Sequence, residues 1–350
     1  MAEGLTGPAG SVDEFVAGLP KAELHVHMLG SASVDTVLEL ARRHPERGVP
    51  TDRDRLASFY RFTDFAHFIE VYIAVNSLVR SADDIFRLAV GVGIDLARQN
   101  VRYAEVTVTP DSHLMMGVPP DALGEALEQA RRATAADQGV TIGWVFDLPG
   151  ESGHESGLRT IEWVERWAPP GTVAFGLGGP EVGVPRPQFA DVFARARALG
   201  LGSVPHAGET TGPATVWDAL RHLGADRIGH GIASVDDPAL LDHLAVNGIT
   251  LEVCPTSNVC TRAIASLADH PLRRLLDAGV PVSLNSDDPG MFGTTLNDEY
   301  RIAHDVLGVS PAELVDLARR SVTASFAPEP TRRSILDEID AYVAGCDLPG

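Results

Sequence analysis

The sequence predicts a (β/α)8 barrel, an α/β fold of eight parallel strands ringed by helices. Three observations lead there. Eight short apolar runs of strand type recur along the chain, and amphipathic helical stretches separate them. The polar residues with chemical potential gather at the C-terminal ends of those runs, where this fold keeps its sites. At 350 residues the chain is long enough for one such barrel.

Taken in order, residues 1–10 are small and Gly/Pro-rich and are expected to be disordered. Ser11 to Glu14 fits a capping box and should open a short helix leading to Leu19-Pro20. The first strand is "AELHVH" from Ala22. Its alternation puts His25 and His27 on one face, with Leu24 and Val26 on the other. Residues 31–80 form an insertion after that strand, rich in Phe and Tyr ("FYRFTDFAHFIEVY"). From Ala82 to Gln99 the spacing of Ile85, Leu88, Ala89, Val92 and Leu96 predicts a helix, with Ser81 as its N-cap. The next strands are "VRYAEVTVTP" from 101, "TIGWVFDL" from 141, "TVAFGLGG" from 172 and "GSVPHAGE" from 202. The last three are "RIGHG" from 227, "ITLEVCP" from 249 and "VPVSLNSDD" from 280. Two or three extra helices should follow Asp298. With no internal repeat or low-complexity linker, residues 11–345 are expected to form a single domain.

Composition excludes several classes of function. A net charge of −20 argues against nucleic acid or an anionic membrane as partner, since both call for basic patches. No apolar run reaches the length of a spanning helix, and the first twenty residues lack the basic start of a secretory signal. The three cysteines, Cys254, Cys260 and Cys346, form no disulfide framework, so a reducing cytoplasm is expected. Lys21 is the only lysine among 28 basic side chains, which leaves no phosphate-loop GK[ST] and one poorly placed candidate for Schiff-base chemistry.

His25 and His27 end the first strand, His206 and Glu209 the fifth, His230 the sixth, and Asp287 with Asp288 the eighth. Each piece alone has an ordinary structural explanation. Together on one rim, histidines and a carboxylate without thiolate suit zinc or a similar first-row divalent ion. The other histidines (His44, His67, His113, His154, His222, His243, His270 and His304) fall mostly in helical or loop stretches and carry no such expectation. PCxxC, HExxH, GxSxG and GxGxxG are all missing.

The motifs "ELHVH", "HAGE", "RIGHG" and "SLNSDDP" resemble, in order and spacing, the adenosine deaminase branch of the amidohydrolases, over roughly residues 20–340. That resemblance implies a barrel holding one Zn2+, with His25, His27, His206 and Asp287 as ligands. It implies Glu209 as proton shuttle and His230 as the group orienting the attacking hydroxide. Gly179 and Asp288 would hydrogen-bond a purine. Relatives with two metals bridge them with a carboxylated lysine on strand four, and here that strand ends Gly178-Gly179-Pro180. The chemistry is coherent on its own terms. A zinc-bound water has a pKa of about 7, and attack at purine C6 needs N1 protonated by a group placed as Glu209 is.

One departure bears on substrate. Adenosine deaminases of the family read HxHLDG, with the aspartate receiving the ribose 5′-hydroxyl, whereas this chain reads His27-Met28-Leu29-Gly30. Leu29 removes that acceptor and offers apolar surface. The family's E-x-R on strand two is Glu105-Val106-Thr107, which removes an arginine and makes room. The segments "KAELHVHMLGSAS", "FTDFAHFIEVY", "SVPHAGETTGP" and "EVCPTSN" look most like the aminodeoxyfutalosine deaminases of the alternative menaquinone pathway. Those enzymes act on an adenosine whose 5′ position bears a carboxyphenyl-oxopropyl arm. The resemblance thus implies a small-molecule purine nucleoside as partner, and a homo-oligomer is compatible with it. Methylthioadenosine, adenosylhomocysteine, 5′-deoxyadenosine, adenosine and adenine are the competing substrates. A non-catalytic purine-binding relative is a further alternative, against which the full ligand set and Glu209 argue. Phe62, Phe65 and Phe68 are candidates for walling the arm, and Arg186 is a candidate partner for its carboxylate.

Overall fold

The protein is described by a computed structural model covering residues 11–346, apart from Asp64 and the side chains of Phe65 and Ala66. The expectation for residues 1–10 lies outside the described residues. Eight strands lie in chain order: β1 (Lys21–His27), β2 (Val101–Val108), β3 (Thr141–Pro149), β4 (Thr172–Gly178), β5 (Gly202–Ala207), β6 (Arg227–His230), β7 (Thr250–Val253) and β8 (Val282–Leu284). Each pairs in parallel with the next. The ring closes beyond β8, where Val26 bridges Asp287. There the His27 N–H donates to the Asp287 carbonyl at 2.9 Å, and the Asp287 N–H donates to the His25 carbonyl at 3.1 Å.

All eight expected strands are present, and their near-continuous apolar runs reflect burial on both faces. Trp144, Phe146 and Phe175 are fully buried, as is Tyr103. The capping box closes as expected on the helix Val12–Gly18, with Ser11 and Glu14 in reciprocal bonds. The helix Ala82–Arg98 starts at its Ser81 cap and buries the expected face. The insertion folds into helices Val34–Arg43, Arg53–Phe59 and Phe65–Asn76. At the other end come Leu296–Asp305, Pro311–Ala324 and Glu329–Ala344. The first of these starts two residues before Asp298 because Thr295 caps it, accepting the Asp298 N–H.

Two local features aim the rim. A register shift in β1 between Glu23 and Val26 is held by Asn285, whose Oδ1 accepts the N–H groups of Leu24 (2.8 Å) and His25 (3.2 Å). Such bulges bend a strand and re-aim its side chains beside active sites. His230 and Asp287 both have positive φ, 60° and 65°. For residues other than glycine this costs on the order of 1–3 kcal/mol, and such strain clusters at functional sites. Among the described residues, no helix is long and apolar enough to cross a membrane.

Candidate active site

At the C-terminal rim a cleft of about 850 Å³ opens between the strand ends and the helix Phe65–Asn76. Of the residues expected at the site, His27, Gly179, His206, Glu209, His230, Asp287 and Asp288 all line it. His25 lies beneath, buried, with its ring 4.5 Å from that of His206 and 4.8 Å from that of His230. Asp287 and Asp288 sit in the loop after β8 rather than on the strand, and Glu209 sits just beyond β5.

The imidazoles are oriented from behind. His25 Nδ1 donates to Glu252 at 2.9 Å, which leaves a lone pair on its Nε2. That Nε2 is buried with no hydrogen-bond partner and lies 3.4 Å from Asp287 Oδ1. His206 Nδ1 donates to the Leu177 carbonyl at 2.7 Å, so its Nε2 also carries a lone pair. His27 Nε2 lies 3.3 Å from His206 Nε2 and 3.3 Å from Asp287 Oδ1. The other carboxylate oxygen, Asp287 Oδ2, accepts from Ser257 at 2.6 Å. Burial keeps His27 below the ordinary imidazole range, and His206 well below it. Burial also acts to lower His25, yet the carboxylates of Asp287 and Glu252 outweigh it and push His25 up to about 10. The carboxylates therefore demand a positive charge at this point. A proton on His25, or a cation among the converging lone pairs, meets that demand. Gly229 leaves the floor open, since a Cβ there would stand 2.9 Å from the His25 ring.

Ligand atoms of His25, His206, His230 and Asp287 all lie within 4.8 Å of one another, a group able to hold a metal ion. This set contains His230 where the sequence reading has His27, and both imidazoles border the same space.

The acid–base groups stand beside it. Glu209 Oε2 is 3.7 Å from His230 Nε2, and Glu209 Oε1 accepts from Thr261 at 2.8 Å. Burial, and then the charge of Asp287, push the Glu209 carboxyl up to about 8. Asp288 is raised well above the carboxylate range by burial and by Asp287, and its buried Oδ1 has no partner. A protonated carboxyl with one oxygen unpartnered, at the wall of a cleft, can donate to a heteroaromatic nitrogen. Gly179 has φ 81°, and a Cβ there would stand 2.2 Å from Glu151 Oε2, so glycine is required at that turn.

Three expectations need revision. Arg186 does not face the cleft: it is buried, and its guanidinium donates to the His206 carbonyl (3.1 and 2.9 Å) and to that of Val184. It braces the "HAGE" turn together with Glu181, which accepts the N–H groups of Glu209, Thr210 and Thr211. A guanidinium so engaged is not available to a substrate carboxylate. Phe68 lines the cleft, whereas Phe62 packs edge-on behind it at 5.3 Å, and the Phe65 side chain is outside the described residues. Leu29 is buried off the main cleft, in an adjoining cavity of about 240 Å³ that it shares with Met28 and Thr107. Tyr72, Asn76, Thr109 and Ser112 line both spaces.

Several functional residues escaped the sequence reading. Glu252, Ser257, Asn258 and Thr261 hold the histidines and carboxylates in place, and Asp147 and Glu151 line the cleft. For Ser257 and Asn258 the signal was at hand, in the segment "CPTSN" directly after β7.

Comparison with known proteins agrees with this geometry. The family model described as adenosine deaminase matches residues 20–342. Aminodeoxyfutalosine deaminase of Streptomyces coelicolor is 54% identical over 332 residues, covering 94% of this chain and 86% of that protein. The enzyme of the same name from Streptomyces avermitilis is 54% identical over 337 residues, covering 96% and 94%. The crystal structure of adenine deaminase from Arthrobacter aurescens matches with a TM-score of 0.87 at 30% identity, covering 93% of this chain and 99% of that one. With its barrel, its rim of histidines and carboxylates and these matches, the chain belongs to the adenosine deaminase family.

Proposed function

We propose that the protein hydrolyses the 6-amino group of 6-amino-6-deoxyfutalosine, giving futalosine and ammonia, with one zinc ion held by His25, His27, His206 and Asp287. The donor set fits such an ion, since it offers neutral imidazole nitrogens, a carboxylate oxygen and an orphaned buried Nε2. When bound, an ion of this kind supplies activated water near neutral pH.

The chain's own residues do the rest. Asp288 and the Gly179 backbone N–H orient the purine, and Glu209 faces its reacting edge. As water oxygen adds to C6, Glu209 gives its carboxyl proton to N1 and takes one from the adding water. The same exchange then moves a proton from the new hydroxyl to the amine, C–N breaks, and a carbonyl and ammonia remain. A carboxyl poised at about 8 suits both directions of transfer near neutral pH.

The observation that carries the substrate choice is the wall facing these groups. Phe68, Ile69, Tyr72 and Ile73, all on the helix Phe65–Asn76, present apolar surface to the cleft, and Leu29 adds more in the cavity behind. Asn76, Thr109 and Ser112 supply neutral hydrogen-bonding groups between the two spaces. An apolar arm gains about 25 cal/mol per Å² buried there, while a bare 5′-hydroxyl set against that wall, with leucine in place of a carboxylate acceptor, loses about 1–3 kcal/mol. A panel of aminodeoxyfutalosine, methylthioadenosine, adenosine and adenine, followed by ultraviolet absorbance, tests this. The expected kcat/KM for aminodeoxyfutalosine is roughly tenfold to a thousandfold above that for adenosine, at about 1.4 kcal/mol per decade. A preference for adenosine or adenine would overturn the substrate. Leu29→Asp should narrow the ratio by restoring an acceptor and penalising the arm, and an unchanged ratio would reduce Leu29 to packing.

A further inference from the structure

We infer that His270, acting through Asn258, is a positioning residue that fixes the tautomer of His230, so that His230 presents an Nε2–H donor to the site and is not a metal ligand. The inference rests on the proposed deaminase reading only for the role of that donor. The tautomer itself follows from a chain of hydrogen bonds whose first member is unambiguous.

The chain starts at a backbone amide. The Leu272 N–H, which can only donate, points at His270 Nδ1 at 3.1 Å. His270 Nδ1 must therefore be an acceptor. The ring is buried, and burial lowers His270 to about 4, so it is neutral and its one proton sits on Nε2. His270 Nε2–H then donates to Asn258 at 3.3 Å, which assigns the amide oxygen to that side. The amide NH2 of Asn258 is left facing His230 Nδ1, 3.2 Å away. An NH2 can only donate, so His230 Nδ1 accepts and the His230 proton lies on Nε2, 3.7 Å from Glu209 and 3.8 Å from Asp287. With the orientation of Asn258 reversed, its NH2 would face the His270 Nε2–H, two donors head to head, unless His270 gave up its bond to Leu272.

This settles the competition between the two candidate ligand sets. An imidazole whose Nδ1 is an acceptor and whose Nε2 bears the proton has no free lone pair to offer a cation. His25 and His206 are arranged in the opposite sense, with Nδ1–H donating to Glu252 and to the Leu177 carbonyl and with Nε2 free. Two opposite tautomers, set by different partners, thus separate His25 and His206, whose Nε2 can serve a cation, from His230, whose Nε2–H is a donor. The left-handed φ of 60° at His230 is the backbone conformation that delivers the ring to Asn258 and to Glu209 together.

The experiment uses metal-loaded enzyme with 15N-labelled histidine. In the wild type, two-bond 15N–1H correlation should show His230 with a pyrrole-like Nε2 and a pyridine-like Nδ1. The reverse pattern would overturn the inference whatever the activity. Asn258→Asp replaces the NH2 donor by a carboxylate acceptor and should move the His230 proton to Nδ1. It should lower kcat by roughly a hundredfold, the scale of lost acid–base positioning, with KM within threefold and one metal per chain retained. His270→Gln keeps an N–H where Nε2 was and should retain the wild-type tautomer with kcat within about fivefold. His270→Leu loses the donor and should give mixed His230 tautomers with a clear loss of kcat. If His270→Leu matches His270→Gln in both readouts, the inference fails. Loss of all activity toward every purine in a wild type that shows the expected tautomer would instead remove the deaminase reading and leave the relay standing.

Discussion

At the scale of single residues, the site is built from groups whose ordinary ionisation has been displaced by burial. Glu209 is the clearest case. It is buried beside Asp287 and held by Thr261, and the backbone N–H groups of its turn are gathered by Glu181. Its proton is consequently retained to about pH 8, as the proposed transfer to a ring nitrogen near neutrality requires. Glu209→Gln keeps the shape and the bond to Thr261 but cannot exchange a proton. We expect kcat to fall by roughly 10²–10⁴, with KM changed far less, because the interaction is made chiefly in the transition state. Steady-state kinetics with metal analysis of the same preparation checks this, and a normal kcat at full metal content would take Glu209 out of the mechanism. The same burial sustains Arg227, which spans Glu105 and Glu252 under the rim and so fixes the acceptor of His25. Nothing in "RIGHG" pointed to that role, since an arginine at the start of a strand reads as a solvent-facing end.

At the scale of elements, the strands were legible because eight buried apolar runs leave no other reading, and the rim residues because they terminate those runs. What was not legible was long-range. The bulge in β1 depends on Asn285, some 260 residues away in sequence, and no local pattern announces it. His270, set aside as one histidine among eight in loops and helices, reaches the site only because "CPTSN" and the turn before Leu272 meet in space. Arg186 was misread for the converse reason, since proximity to strand four says nothing about which way a guanidinium turns. The helix Leu296–Asp305 shows what such hidden contacts do to stability. Its Glu299 is fully buried against the Thr256 N–H and the Thr294 hydroxyl, and burial outweighs those bonds to raise it to about 7. The folded protein thus keeps a proton that the unfolded chain releases near pH 4.5. Stability should fall as pH rises between those values and then level off. At about 1.4 kcal/mol per pH unit, the Glu299 share is on the order of 3 kcal/mol. Glu299→Gln should remove that share, so its denaturation midpoint should gain on the wild type between pH 5 and pH 8. Glu23, also raised to about 7 by burial, leaves a residual slope in the variant. An equal midpoint difference at both pH values would show that Glu299 is ionised in the fold.

At the scale of the whole molecule, the proposed metal would act as a staple as well as a reagent. Its ligands come from β1, from β5 and from the loop after β8, so they span the seam where the barrel closes through the Val26–Asp287 bridge. Without a cation the seam sets the carboxylates of Asp287 and Glu252 against a proton on His25 alone, in a protein that already carries a net charge of −20. Anything bound by the folded chain and not by the unfolded one stabilises by mass action, about 2.7 kcal/mol at a hundred times Kd and about 4 at a thousand times. For a chain of this length that corresponds to a rise in Tm of roughly 5 °C. Purified protein should therefore contain one zinc per chain by elemental analysis. Dialysis against a chelator should lower Tm by about that amount and abolish turnover. One equivalent of zinc should restore both, with no further gain from a second. Asp287→Asn, which weakens the ligand set and removes one of the clustered charges, should start from a Tm near the chelated value and respond little to chelator or zinc. Two metals per chain in an active preparation, or a wild-type Tm indifferent to chelation, would remove the single ion from both the barrel's seam and its chemistry.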